Sequence, residues 1–315
     1  LWVCLGVAII RGGDGEQGLK GRVEFMHLGK DRSMSHNRFA LNLNSLPGPH
    51  DVRHLNQKIK AASEAGFCGI SLCMEDVAAW VKSGKRLEQL REGIREQGMQ
   101  IVELCDVNMC DERGRLADRA REFAVAAALD IPLVSAVYNK ELSDLDEARA
   151  DWAEFCELTS DLEGLEIGLH FKGTATHFNT LDSAWDITSD GPANGRIVLD
   201  MFDFWRGGSP ANSLEMVPLD LLGMVHVTDV RTVHRYQAVE TDRSVPGTGV
   251  MPLTHIVSAL SRRGYSGMFS VEVCGAAQQD HRADIAAESY RATRRLLGTS
   301  GPSHRKIAAY AESRA

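Results

Sequence analysis

Four short apolar runs in the second half of the chain each stop on a side chain of metal-ligand type. They are GLEIGLH ending at His170, RIVLD at Asp200, LGMVH at His226 and MFSVE at Glu272. Each has the length of a buried strand and is followed by a loop and a helix-like stretch, so the unit strand, polar tip, helix recurs. Parallel strands linked through helices are covered on both faces, and their carboxyl ends form the functional rim of a barrel. Four ligand-type residues at four successive strand ends therefore predict a metal site on the rim of a β/α barrel.

The first half supplies the remaining units. FALNLNSL (39–46) leads through Pro47, Gly48 and Pro49 into the helix pattern DVRHLNQKIKAASEAG, which Gly66 closes. CGISLC (68–73) reads as the next strand, followed by one amphipathic stretch through Trp80 to Glu96 that Gly98 ends. MQIVELC (99–105) precedes a helix over 115–129, and IPLVSAVY (131–138) precedes a helix over 145–162. With strands near 165–170, 196–200, 223–228 and 268–273 the count reaches eight, the number that closes a (β/α)8 TIM barrel. No linker or composition break divides 39–298. The reading is thus α/β, one TIM-barrel domain over 36–298, a disordered N-terminal extension over 1–35 with Met26 and Met34 as alternative starts, and a tail over 299–315.

Composition narrows the function classes. The 315 residues are 43% hydrophobic and 25% charged, which suits a globular core and not a disordered acidic chain. The formal net charge of -8, without a Lys/Arg stripe, argues against a nucleic-acid partner, because phosphate binding is mostly cationic. The apolar start LWVCLGVAII is shorter than the roughly 20 residues that span a bilayer, so no membrane role is expected. Seven scattered cysteines without a C-x-x-C pair read as reduced thiols of a cytoplasmic enzyme. Cys105-Asp106 and Cys110-Asp111 match no closed zinc pattern. No G-x-G-x-x-G follows a strand and no phosphate-loop lysine motif occurs, so a nucleotide cofactor is not expected.

Asp200 ends a buried strand, where a carboxylate is costly unless paired or bound to a cation. A helix N-cap or a loop salt bridge is the structural alternative. His226 lies in MVHVTDV, with Asp229 near enough to orient an imidazole or a substrate hydroxyl. Glu272 sits between Val271 and Val273, which point to the opposite face of the strand, and an ionised Glu is almost never buried unpaired. Lys172, two residues beyond His170, faces the same way if the strand continues. The Pro/Gly-rich segment DRSVPGTGVMPL reads as a hairpin-like loop that brings Arg243 over a pocket mouth.

VLDMFDFWRGGS, MVHVTDV, RSVPGTGVMPLTHIVSAL and RRGYSGMFSVEV resemble the xylose isomerase-like barrels, the sugar phosphate isomerases/epimerases that include inosose dehydratase and 3-dehydroshikimate dehydratase. AASEAGFCGISL is similar to the family's Ala-Gly-Phe-x-Gly-Ile turn. The resemblance covers roughly 38–298 and is most specific over 196–273. It implies one divalent metal on the ends of strands five to eight, with Asp200, His226 and Glu272 as ligands. His170 stands where the family has its first Glu. As a ligand it makes a two-His, two-carboxylate site suited to Mn, Co, Zn or Fe more than Mg. As a non-ligand it is an acid or base beside the metal. Asp203 stands where relatives often have a substrate-contacting His, and Arg206 resembles a family arginine that meets a substrate oxyanion.

The reading that follows is a metal-dependent isomerase, epimerase or dehydratase of a small keto-sugar, polyol or keto-cyclitol. It removes a proton next to a carbonyl and stabilises the enediolate. Glu272 is the expected base, His170 or Lys172 the returning acid, and Asp203, Arg206, Asp229 and Arg243 the substrate contacts. The partner is a carbohydrate-like small molecule, and a homo-oligomer stays open. Two alternatives remain: a barrel that has lost catalysis and binds or regulates, and an apurinic-site endonuclease-like hydrolase, which the acidic charge disfavours.

Overall fold

The computed structural model describes residues 38–300 apart from 139, 142–143, 232 and 275–281. The expectations for 1–35 and for the last fifteen positions of the tail lie outside the described residues.

Among the described residues, eight parallel strands close a barrel: β1 (Phe39–Asn42), β2 (Gly69–Leu72), β3 (Gln100–Asn108), β4 (Leu133–Val137), β5 (Glu166–His170), β6 (Gly195–Asp200), β7 (Leu222–Val227) and β10 (Met268–Val271). Two short strands outside the barrel, β8 (Asp229–Val230) and β9 (Arg243–Ser244), pair antiparallel. Closure runs through β1 against β10, with Leu41 opposite Val271. The helices α1 (Val52–Ala65) and α10 (Arg282–Ser300) pack together outside that seam, where Tyr290 meets Phe39 and Phe67 edge-on.

Two layers fill the barrel near the rim. Ala40, Val102, Leu133, Val198 and Met224 form one apolar cluster. Burying each larger side chain of this kind contributes about 1.5–3 kcal/mol. Because side chains alternate in period two, residues two further along Met224 and Val198 return to the same face, and these are His226 and Asp200. The register sets Asp200 beside His226 and His226 beside Ser270. A polar layer thus rests on an apolar plug that keeps water out from below.

Some boundaries differ from expectation. The stretch through Trp80 to Glu96 is two helices, α2 (Met74–Lys82) and α3 (Leu87–Glu96), separated at Gly84, whose φ of +83 no other residue adopts easily. Trp80 clamps the break by donating its indole N–H to the Arg86 carbonyl at 2.8 Å. The helix expected over 115–129 is only α4 (Ala120–Ala128). Upstream, Asp111 accepts from the backbone N–H groups of Arg113 and Arg115, an Asx-type turn that competes with helix. The first strand is shorter, because Asn42 caps a 3-10 turn over Leu43–Ser45. The remaining helices are α5 (Leu145–Glu157), α6 (Leu181–Thr188), α7 (Met201–Gly207), α8 (Ser213–Met216) and α9 (Leu253–Arg263).

Candidate metal centre and active site

His170, Asp200 and His226 end β5, sit at the end of β6 and lie near the end of β7, and all are at most 1% exposed. One nitrogen or oxygen from each lies within 4.8 Å of the others. The closest approaches are His226 Nδ1 to Asp200 Oδ2 at 3.5 Å and His170 Nε2 to the same oxygen at 3.8 Å. The two imidazoles meet edge to face, centroids 5.4 Å apart. Glu272 lies one residue past β10 and is outside this mutual set, but its Oε2 reaches His226 Nδ1 at 3.4 Å.

The sequence reading missed Glu103. It is fully buried on β3, and both its oxygens sit on His226 Nε2, at 3.0 and 3.1 Å. Ser71 and Ser135 add hydrogen bonds to the same carboxylate. The available signal was a Glu between apolar neighbours in QIVELC, the same one that drew attention to Glu272. Burial opposes an imidazolium here, yet the charge of Glu103, with the carboxylates of Asp200 and Glu272 close to the ring, holds the His226 pKa well above the usual histidine range.

Asp200 makes both contacts of its structural alternative, a helix N-cap and a salt bridge. Its Oδ1 accepts from the Asp203 N–H at 3.0 Å and so caps α7. Both oxygens accept from Arg243 Nη1, at 3.1 and 3.0 Å, while Oδ2 also faces the histidines. Burial alone would raise this carboxyl. Arg243, then His226 and His170, hold it well below the carboxylate range.

The structure puts Arg243 at the floor of the site and not at its mouth. It is 1% exposed, its Nε donates to Glu240 Oε2 at 2.6 Å, and its guanidinium lies 4.5 Å over the Phe202 ring. Asp229 is likewise engaged by its own loop. Its carboxylate accepts from the N–H groups of Val230, Gly247, Gly249 and Met251 at 2.8–3.0 Å, which folds the segment expected to be a hairpin into a tied turn. Arg206 donates to the Ala238 carbonyl at 3.1 Å and stacks toward Tyr236.

Asp203 and Lys172 do converge on His170. Asp203 Oδ1 accepts from the Gly173 N–H at 2.7 Å, and Oδ2 lies 3.1 Å from His170 Nε2. Lys172 Nζ is 3.4 Å from that nitrogen and 3.8 Å from Asp203, with its side chain 25% exposed. Burial works against its charge, but Asp203 and Asp106 more than compensate and keep it protonated. Asp106, in the left-handed region at φ +59, faces His170 Nδ1 at 3.8 Å.

These residues suit a divalent cation on evidence internal to the site. His226 Nδ1 is buried without a hydrogen-bond partner, while carboxylate oxygens of Asp200 and Glu272 surround it and Glu103 engages the opposite ring nitrogen. A metal-bound histidine commonly has this arrangement, one nitrogen on the ion and the other on a carboxylate.

The fold and the site define a (β/α)8 barrel with a candidate cation centre at the carboxyl ends of its strands. The chain belongs to the xylose isomerase-like TIM barrel family, whose model matches residues 59–296. It is similar to inosose isomerase of Halalkalibacterium halodurans, with 30% identity over 155 residues, 47% of this chain and 55% of that protein. It is also similar to 3-dehydroshikimate dehydratase of Pseudomonas putida, with 23% identity over 70% of this chain and 36% of that one. The chain thus spans about half and about a third of the lengths of these two relatives. In three dimensions it superposes on IOLI protein, a crystal structure with a bound zinc atom, at a TM-score of 0.72 and 18% identity, covering 84% and 99% of the two chains. No described helix is long and apolar enough to cross a membrane, and Cys73, Cys105, Cys156 and Cys274 are free thiols.

Proposed function

We propose that this chain is a metal-dependent isomerase, epimerase or dehydratase that removes a proton beside the carbonyl of a small keto-sugar, polyol or keto-cyclitol. The observation that carries it is the position of Glu272, an ionised carboxylate on the same rim as the three-residue cation set and in contact with it through His226. The relatives named above carry out isomerisation and dehydration of compounds of this class, which supports the same range here.

His170, Asp200 and His226 would hold the cation, with one oxygen of Glu272 available as a fourth ligand. The donor set of two imidazoles and carboxylates suits Mn, Co, Zn or Fe more than Mg. When bound, the ion supplies the electrophile that acidifies the carbon next to the substrate carbonyl. Glu272 then accepts that proton at a carboxylate oxygen. Arg243, with His226, holds Glu272 at about 2, against the pull of burial. The carboxylate is therefore ready in its basic form, and its weak basicity requires an acidified substrate. Lys172, protonated and partly exposed beside His170, returns a proton to carbon or to a departing hydroxyl. Asp203 fixes His170, and Arg243 fixes Asp200, so both shape the site through other residues.

The test is solvent deuterium exchange, followed by NMR, on a panel of keto-sugars and inososes with the metal-loaded protein. Exchange at the carbon beside the carbonyl is expected in wild type and is lost in Glu272→Gln, with an unchanged circular dichroism spectrum. Undiminished exchange in the variant removes Glu272 as the base.

A further inference from the structure

Apart from the centre already described, three ligand-type side chains meet between the loop entering α1 and the first turn of α2. His50 Nδ1 lies 2.8 Å from Asp76 Oδ1 and 3.7 Å from Cys73 Sγ. A ligand atom from each of the three lies within 4.8 Å of the others. Cys73 is 6% exposed and Asp76 fully buried. The second oxygen of Asp76, Oδ2, is buried without a hydrogen-bond partner. Local structure does not account for the cluster, since Cys73 occupies the N-cap position of α2 without making a cap bond. His50 and Cys73 also line a rim cavity of about 600 Å³, whose far wall includes Cys105 and Asp106.

We infer that His50, Cys73 and Asp76 form a second transition-metal site, of zinc type, with its fourth position open to the rim cavity. Tetrahedral bonds of about 2.3 Å to sulfur and 2.0 Å to nitrogen place those two ligands about 3.5 Å apart. The observed Sγ to Nδ1 separation of 3.7 Å is already close to that. The imidazole–carboxylate pair would open by about half an ångström as its hydrogen bond gives way to bonds with the ion. Binding releases the thiol proton of Cys73, and thiolate plus carboxylate neutralise a divalent charge. A thiolate, imidazole and carboxylate set selects zinc or cobalt over magnesium or calcium. Lys58, 1% exposed and without an ion pair among the described residues, lines the same cavity.

Cobalt distinguishes this site from the central one, which offers only nitrogen and oxygen. Metal-stripped full-length protein titrated with cobalt should take up a second equivalent that carries thiolate-to-cobalt charge-transfer absorption in the near ultraviolet. Cys73→Ser should lose that absorption and one equivalent of cobalt. His170→Ala and Cys105→Ser should keep the band, and His50→Ala should weaken the cobalt affinity behind it at least tenfold. A wild type without the band at saturating cobalt overturns the inference, as does a band that persists in Cys73→Ser. A normal circular dichroism spectrum for Cys73→Ser excludes misfolding as the cause of its loss.

Discussion

The Glu103 carboxylate straddles Nε2 of His226, its two oxygens at 3.0 and 3.1 Å, and this pairing decides which nitrogen of the imidazole is left for the cation set. Nε2 carries the proton toward Glu103, and Nδ1 is turned toward Asp200 and Glu272. The link crosses the barrel interior from β3 to β7. Residues far apart in the chain therefore share one proton position.

Glu103→Ala is expected to leave a buried N–H unpaired at a cost of about 1–3 kcal/mol. Metal affinity should fall about 10–100-fold, the usual consequence of removing a carboxylate behind a ligating histidine. Zinc competition titrations and urea denaturation of the stripped protein report the two effects separately. Unchanged zinc affinity would mean that His226 does not ligate through Nδ1.

Arg243 is buried with Asp200 as its bidentate partner, so Arg243→Met should strand a carboxylate in the core. Breaking a buried pair from one side costs about 3–5 kcal/mol. Urea denaturation of the metal-free variant should show this loss in full. Added zinc should recover part of it, because the ion supplies the positive charge that Asp200 lacks. A variant as stable as wild type without metal would show that Asp200 is protonated there.

Acid should act on the same carboxylates. Glu272 falls from an ordinary 4.5 to about 2 in the folded protein, chiefly because Arg243 and then His226 outweigh burial. A depressed carboxyl contributes stability that is complete above its unfolded pKa and is lost as pH falls through its folded one. Stability of the metal-free protein should therefore decline as pH drops from about 4.5 toward 2. Asp200 and Glu103, also depressed, steepen the decline. Urea midpoints taken across that range should fall less steeply in Glu272→Gln, and equal slopes would count against the assigned charge of Glu272.

The barrel was legible because its signal is repetitive: apolar runs, each closed by a turn and a helix. The strand ends at His170, Asp200 and His226 were legible for the same reason, since a charged or imidazole side chain interrupting an apolar run stands out. Glu103 carried a similar signal on β3, but it lies inside its strand and not at the end, where the repeated pattern of polar tips falls. The roles of Asp229 and Arg243 were not legible. Whether an acid at a strand end faces a pocket or its own loop depends on where backbone N–H groups such as those of Gly247 and Gly249 come to rest. That is a tertiary outcome with no period in the sequence. The break at Gly84 escaped because helical periodicity continues on both sides of it.

Two glycines test how tightly the site is supported. Gly93 lies inside α3, and a Cβ built there meets nothing within 4 Å, so Gly93→Ala should stabilise the protein by about 0.4–1 kcal/mol through a less flexible unfolded chain. A Cβ on Gly173 would lie 2.4 Å from the Asp203 carbonyl and 2.7 Å from the Gly207 nitrogen, both backbone atoms of α7 that have no rotamer to yield. Relief requires α7 to move away from β5. That movement lengthens the Gly173 to Asp203 hydrogen bond and takes Asp203 off His170. Gly173→Ala should therefore lower both the melting temperature and zinc affinity although it alters no ligand, while Gly93→Ala raises the first and leaves the second alone. If Gly173→Ala lost stability with zinc affinity intact, the position of His170 would be set by β5 alone, and Asp203 would have no part in holding it.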